Sequence, residues 1–427
     1  MTLRIPELLA PAGGPEQLEA ALLYGADAVY LSGPDLSLRA GSRGFAGPAL
    51  AEAGRLVHRL GKRYYYCLNL LARDADLPAV AARLEALAAM EDDARPDGVI
   101  VADPGVMRLA RRLAPALPVH VSTQANTTNT QTLAVWKDQG ATRANLAREL
   151  PGPAIASLAA AARDLELETE CFVHGAQCLA VSGRCLLSMA LNRRHANLGR
   201  CTHPCRFDYR VATVEEKTRP GEALWELEAL DEQYAAFFSC EDLCLLPYLG
   251  WFAWRGVDAL KLEGRTRSAG ALAPVVDVYA TALAGLRHGR LPHGRQLQEL
   301  LAATARPLGT GFFLGERLRI WQDDTAHRRP IAARLETRLG EDTWRMAVRD
   351  RLDAAAPLEL LLPGLQRPCL APGSFHLETE AGEYRTTAHS GTTMRLRLEA
   401  SALATPLQPG LYLRQGAVTA SAQQAEC

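Results

Sequence analysis

ECFVHGAQCLAVSGRCLLSMALNRRHANLGRCTHPCRFDY, residues 170 to 209, is the stretch on which the reading of the fold turns. Its first residues complete an apolar run from Glu168 to Val173 that has the pattern of a strand. Beyond it lies a cysteine-rich loop. The stretch holds Cys171, Cys178, Cys185, Cys201 and Cys205, half of the ten cysteines in the chain. Gly175, Gly183, Gly199 and Pro204 interrupt the backbone, so the loop can fold back and bring four thiols to one centre.

Working outward, short apolar runs alternate with stretches of helical period on the N-terminal side. Strands are expected at Glu7–Ala10, Ala28–Ser32, Tyr64–Asn69, Gly98–Ala102, Val119–Thr123, Ala144–Ala147 and Glu168–Val173, with helices between them. An eighth strand, Ala259–Leu262, precedes a helical run to Leu286. Eight such units predict an α/β fold, a (β/α)8 TIM-like barrel over residues 1–290. A doubly wound open sheet is the alternative, but no G-x-G-x-x-G turn follows the first strand. The seventh connection, 175–257, is swollen by the cysteine-rich insertion, which the barrel rule places over the C-terminal mouth. Its polar middle, Thr213 to Glu232, reads as a surface excursion. Residues 291–328 read as a linker and 329–416 as a small antiparallel β domain, with 417–427 a disordered tail.

Composition sets limits on function. The chain of 427 residues is 48% hydrophobic and 22% charged, as a folded protein is, and its net charge of −1 provides no global attraction to nucleic acid. RNA contact would need local patches, such as Arg193, Arg194, Arg200, Arg206 and Arg210 around the cysteines, whose bland reading is a solvated face. MTLRIPELLAPAGG lacks the apolar core of a secretory signal, and no run of some 18 uninterrupted apolar residues follows. A cytoplasmic protein with no membrane partner is the expectation. In that reducing setting clustered cysteines point to metal.

Cys178, Cys185, Cys201 and Cys205 are the candidate ligands. Only Cys201 and Cys205 have the close spacing of a zinc knuckle, whereas iron-sulfur clusters tolerate irregular spacing. Spacing leaves three readings open: an iron-sulfur cluster, a zinc site, or buried thiols without metal. Residues just past the strands converge at a barrel mouth, and they include Asn69, Asp103, Gln124, Asn126, Arg148, Glu149, His174, Glu263 and Arg265. His174 is a candidate acid or base, or a histidine hydrogen-bonded within the loop. Glu263 and Arg265 form a site or an internal ion pair. The amides of Gln124 and Asn126 suit recognition of a nucleobase.

FVHGAQC, SGRCLLS, GRCTHPCR and KLEGRTRS, in that order, resemble the signature of the collagenase-like peptidase family, class U, number thirty-two. STQAN at 122–126 resembles its S-x-Q-A-N, while SCEDLC departs from the usual N-S-K-D-L at Cys240 and Glu241, making Cys240 and Cys244 reserve ligands. Cys67, Cys171, Cys369 and Cys427 read as ordinary buried or terminal thiols. The resemblance covers roughly residues 5 to 315 and looks closest to the tRNA-hydroxylation branch. It implies a 4Fe-4S cluster on the four cysteines and formation of 5-hydroxyuridine at the tRNA wobble position without molecular oxygen. Prephenate is the implied cosubstrate. His174, Glu263 and Arg265 would be catalytic, and Asn69, Gln124, Asn126, Arg148 and Glu149 would bind substrate.

Other branches hydroxylate a ribosomal RNA cytidine or the ubiquinone ring. A protease is the reading the family name offers, yet no H-E-x-x-H or G-x-S-x-G is present. A scaffold paired with a second member of the family is a third reading.

Overall fold

The structure, a computed structural model, describes residues 4–38, 44–178, 180–207, 241–292, 294–304, 306–315, 320–321, 328–399 and 406–416. The expected surface excursion at 213–232, Arg210, Cys240, Cys427 and the tail 417–427 lie outside the described residues.

Within them, parallel strands β1 (Glu7–Pro11), β2 (Ala28–Leu31), β3 (Arg63–Leu68), β4 (Gly98–Val101), β5 (Val119–Val121), β6 (Arg143–Asn145) and β7 (Glu168–Ala176) pair in sequence order. A short β8 (Asp242–Cys244) runs antiparallel to the end of β7. β9 (Ala259–Leu262) then pairs in parallel with both β7 and β1, which closes the ring and removes the open-sheet alternative. Helices α1 (Pro15–Leu23), α2 (Pro48–Arg59), α3 (Leu77–Ala88), α4 (Pro104–Leu113), α5 (Thr130–Asp138) and α6 (Gly152–Asp164) fill the connections. The punctuation is local. Proline occupies the first turn of α1, α2, α3, α4 and α6, where its missing N–H costs nothing. Asp103 and Asn129 accept from the backbone N–H groups of Val106 (3.0 Å) and Thr132 (2.9 Å) to start α4 and α5.

The cysteine loop carries α7 (Leu187–Asn192), and α8 (Leu249–Arg255) leads into β9. α9 (Ala269–Leu286) follows, capped by Ser268. It is long and apolar enough to cross a membrane, but it is a core helix: 72% of it is buried in this protein, and fully buried Asp277 interrupts it. Two described pieces of the expected linker, 291–328, are built onto the barrel. Gly294–Ala303 form α10 with Leu300 fully buried, and Leu308–Gly309 pair with Asp242–Leu243.

The C-terminal domain is an antiparallel sheet whose strands include Ile331–Arg338, Thr343–Val348, Leu358–Leu361, Phe375–Glu378, Thr393–Leu398 and Tyr412–Gln415. Its period-two pattern places Trp344, Met346 and Val348 inside. It is fastened to the barrel by a buried ionic ladder. Arg367 reaches Asp277 of α9 at 2.7 Å and Glu299 of α10 at 3.2 Å. Arg414 pairs with Glu299 at 2.6 Å and with Glu359, which also meets Arg329 at 3.0 Å. Tyr24 of α1 donates to the Leu361 carbonyl at 2.7 Å.

Asp277 is fully buried, and burial raises its pKa against the opposing pull of Arg367. Arg367→Ala is therefore expected to lower stability by about 3–5 kcal/mol, because a buried carboxylate is left without its counter-ion. Adding Asp277→Asn should restore a substantial part of that loss in urea unfolding, and equal loss in the single and double variants would refute the ladder.

Candidate functional site

Alternate side chains of the barrel strands point inward, and here the interior is a chain of charges. Lys261 bonds Glu170 at 2.9 Å, and Asn145 donates to the same carboxylate oxygen at 2.8 Å. Arg143 lies 3.5 Å from the other oxygen of Glu170 and reaches Glu7 at 2.8 Å and Glu168 at 2.7 Å. Arg63 also pairs with Glu7. All but Arg63 and Glu168 are at most 9% exposed, so each charge is compensated by its neighbour along the axis.

Above this chain opens a cavity of about 110 Å³ at the C-terminal mouth. It is lined by Asn69, Gln124, Arg148, Glu149, Glu263 and Arg265, six of the expected site residues. Its aromatic walls are Tyr30 and Phe172, reached by cations: Arg148 stands 3.9 Å from the centre of the Phe172 ring, and Lys261 and Arg265 stand 4.2 and 5.6 Å from that of Tyr30. Asn69 donates to Gln124 at 3.5 Å. Arg265 is 5% exposed, and its buried Nη1 has no hydrogen-bond partner among the described residues. Such a donor has a place for an acceptor from a ligand.

The same cavity is lined by Cys178, Cys185, Cys201 and Cys205. Backbone N–H groups of Leu187 and His203 donate to the sulfurs of Cys185 (3.3 Å) and Cys201 (3.4 Å). Burial raises the Cys205 thiol, and the nearby Cys178, Cys201 and Cys185 raise it further. Among the described residues no three His, Cys, Asp or Glu groups are close enough to hold one metal ion. In number and softness the four thiols fit a thiolate-held cluster.

Polar bonds to the barrel loops hold the cysteine loop in place. Ser182 donates to Asn126 at 2.9 Å, and its backbone N–H is held by Glu149. Both Ser182 (φ 48°) and Asn126 (φ 56°) are left-handed. Arg184 donates to the Gln124 carbonyl at 2.9 Å. Asn126 does not line the cavity, so it positions the loop rather than reading a base.

His174 is also absent from the cavity wall. A bulge between Phe172 and His174 shifts its register, so it pairs with Leu262 while Lys261 and Glu263 face the cavity. Its ring lies edge-on to Tyr279 of α9 at 5.5 Å, buried, with a pKa pushed down to about 3 mainly by burial. Direct proton transfer by His174 at the mouth does not agree with this placement. Gly175 (φ 104°) lets the strand press on Glu263, where a Cβ would meet the Glu263 carbonyl at 2.7 Å. The close approach at this glycine is thus to protein backbone. Asp103 is spent as the α4 cap.

Cys244 is fully buried, and its thiol is pushed up to about 11 by burial. It sits beside Tyr279 and not at the cavity, so it is no reserve ligand. Cys67, by contrast, borders the cavity. Tyr30, Phe172 and Cys67 escape a strand-end reading because they lie within strands rather than past their ends. Inward alternation in the last turn of each strand is the signal that finds them.

Residues 13–323 match the model of Peptidase family U32. The chain is 32% identical over 403 residues to tRNA hydroxylation protein P of Escherichia coli, covering 84% of this chain and 86% of that protein. It is 35% identical to tRNA hydroxylation protein P1 of Bacillus subtilis, covering 73% and 71%. A protein named collagenase from Porphyromonas gingivalis is 29% identical, covering 74% and 75%.

Two buried histidines give the fold a pH dependence. His120, pressed on Tyr65, is held well below the usual range by burial and then by Arg143 and Lys261, and His174 falls to about 3. Both folded values lie below the unfolded one, so their contribution is full above about pH 6.5 and fades as pH falls below it. Each pH unit below that point should cost up to about 1.4 kcal/mol per histidine. Urea midpoints between pH 7.5 and 5 should drop steeply in the native chain and less in a His120→Gln/His174→Gln double variant, and equal slopes would contradict the assignment.

Proposed function

The chain belongs to peptidase family U32, and from that premise we propose that it is a tRNA-modifying enzyme that forms 5-hydroxyuridine at the wobble position. The observation that carries this reading is a single cavity where amides, aromatic faces, cations and four thiols meet. An unstacked base of a single-stranded loop is recognised by aromatic stacking and edge hydrogen bonds. Tyr30 and Phe172 supply the faces, and Asn69 and Gln124 supply donors and acceptors.

Cys178, Cys185, Cys201 and Cys205 would hold the 4Fe-4S cluster, which when bound supplies electron transfer at the mouth. Arg265, with its buried unpartnered Nη1, and Arg148 grip the carboxylates of a cosubstrate such as prephenate. Glu263 lines the same cavity and is assigned as the acid or base. The cysteine loop lines the mouth, and in this reading the cosubstrate, not molecular oxygen, gives up the hydroxyl oxygen and is itself reduced by the two electrons that C5 loses. The protein works where tRNA is, in the cytoplasm. The absence of a recognisable peptidase motif, H-E-x-x-H or G-x-S-x-G, favours RNA over peptide.

Protein purified without air should be brown and carry about four iron and four sulfide per chain. Cys185→Ala should bleach it, and stoichiometric zinc without iron would overturn the cluster. Glu263→Gln and Arg265→Ala should keep the iron and lose activity, whereas full activity would leave a scaffold.

Deleting the gene should remove 5-hydroxyuridine-derived nucleosides from tRNA, with rescue by the native copy and not by Cys185→Ala. Loss of ribosomal RNA or ubiquinone hydroxylation instead would move the substrate to another branch. Unchanged nucleosides together with cleavage of collagen-like peptides would replace the proposal by proteolysis.

A further inference from the structure

A groove leads away from the cavity between the barrel and the β domain. One end, about 700 Å³, is walled by the loops after β1 and β9 and by Arg328, Arg329 and Arg349. It continues into a second hollow of about 690 Å³ that adds Arg295 and Arg351 and shares Arg328 and Arg329. Arg265 borders both this groove and the catalytic cavity. Its carbonyl abuts Gly13 on the groove side, and its guanidinium stands over Tyr30 on the cavity side. The groove thus begins at the rim of the mouth.

The groove is strongly cationic in a chain whose net charge is −1. Eight arginines line the two hollows against four carboxylates, Glu16, Glu299, Asp350 and Glu359. Glu299 and Glu359 are already committed to Arg367, Arg414 and Arg329. Exposed Arg328 and Arg351 make no ion pair among the described residues. Arg349 is 48% exposed and, among the described residues, has a single ion pair, to Glu16 at 3.2 Å. Arg329 has a buried Nε with no hydrogen-bond partner among the described residues.

Arg349 lines the first hollow, Arg295 and Arg351 line the second, and Arg328 and Arg329 line both. One small anion calls for convergent donors in one pocket, whereas guanidinium groups distributed over two adjoining hollows suit more than one phosphate of a chain. We infer that this interdomain groove is a second RNA-binding surface, carrying the backbone of the substrate whose base enters the cavity. The inference rests on the tRNA reading and adds the β domain to the substrate-binding surface. Phosphate binding would set the register of the RNA while the cavity reads the base.

The test uses the full-length protein and tRNA from the gene-deletion strain. Arg328→Ala/Arg351→Ala should bind this tRNA about tenfold more weakly, with a shallower dependence of log affinity on log salt, by about 0.7–0.9 for each phosphate that is no longer neutralised. Its thermal melting should match the native protein, since both side chains are exposed. A control pair on α4, Arg108→Ala/Arg112→Ala, should bind normally. If the native chain binds tRNA and the groove variant binds equally well with the same salt slope, the groove is refuted and the tRNA reading stands. If the native chain binds poly-glutamate and not tRNA, and the deletion strain keeps its tRNA nucleosides, both fall.

Discussion

One extra residue in β7 organises the site. A bulge between Phe172 and His174 lets Phe172 face the cavity while His174 turns to the helix behind it. Without the bulge, strict alternation would point His174 inward with Phe172 and Glu170. The irregularity also changes the partners of the strand. Beyond it the backbone continues to Ala176, where it pairs antiparallel with β8 and presses Gly175 against Glu263. The cysteine loop therefore leaves from and returns to a paired ribbon. That pairing fixes its two ends against the mouth.

The charges below the cavity are the second half of the same arrangement. A lysine in a barrel interior is tolerable only with a counter-ion, and Glu170 of β7 provides it for Lys261 of β9. Glu170 is steadied by Asn145 and lies within reach of Arg143, which binds Glu7 in turn. Lys261 is thereby spoken for at the floor. Arg265 at the rim has no such partner for Nη1, so the unmet donor lies at the level where a ligand enters. The compensated chain and the uncompensated rim have different roles: the first supports the barrel, the second is open to chemistry.

The barrel was legible because its elements are signalled locally. Prolines open five helices, and Gly25 stops α1 with a φ of 101°. Predicted strands such as Ala259–Leu262 coincide with the observed ones. Strand-end reasoning located Asn69, Gln124, Arg148, Glu149, Glu263 and Arg265 at one cavity, since a parallel barrel gathers those positions whatever their separation in sequence. The bulge was not legible, because period-two alternation has no mark for one inserted residue. The partner of Asn126 is likewise not legible: its amide suits a base as well as it suits Ser182, and the folded loop shows that it accepts from Ser182. The region 291–328 reads as a linker because glycines and prolines flank the ten-residue helix Gly294–Ala303, although Arg295 to Ala303 are all good helix formers and Leu300 is fully buried.

The ionic ladder between the domains bears on the proposal that the groove and the cavity serve one substrate. A groove shared by two domains serves as a track only if its walls hold their spacing, and interfaces between domains are often loose. Here Asp277 of the barrel helix and Arg367 of the β domain are each almost fully buried, and Glu299 links Arg367 to Arg414. Opening the interface would expose these groups and break several charge-assisted bonds together. Arg329 belongs to both systems: it pairs with Glu359 of the ladder and lines the groove at its join. The ladder that joins the domains thus also holds one arginine of the groove, and Arg265 borders both the groove and the cavity.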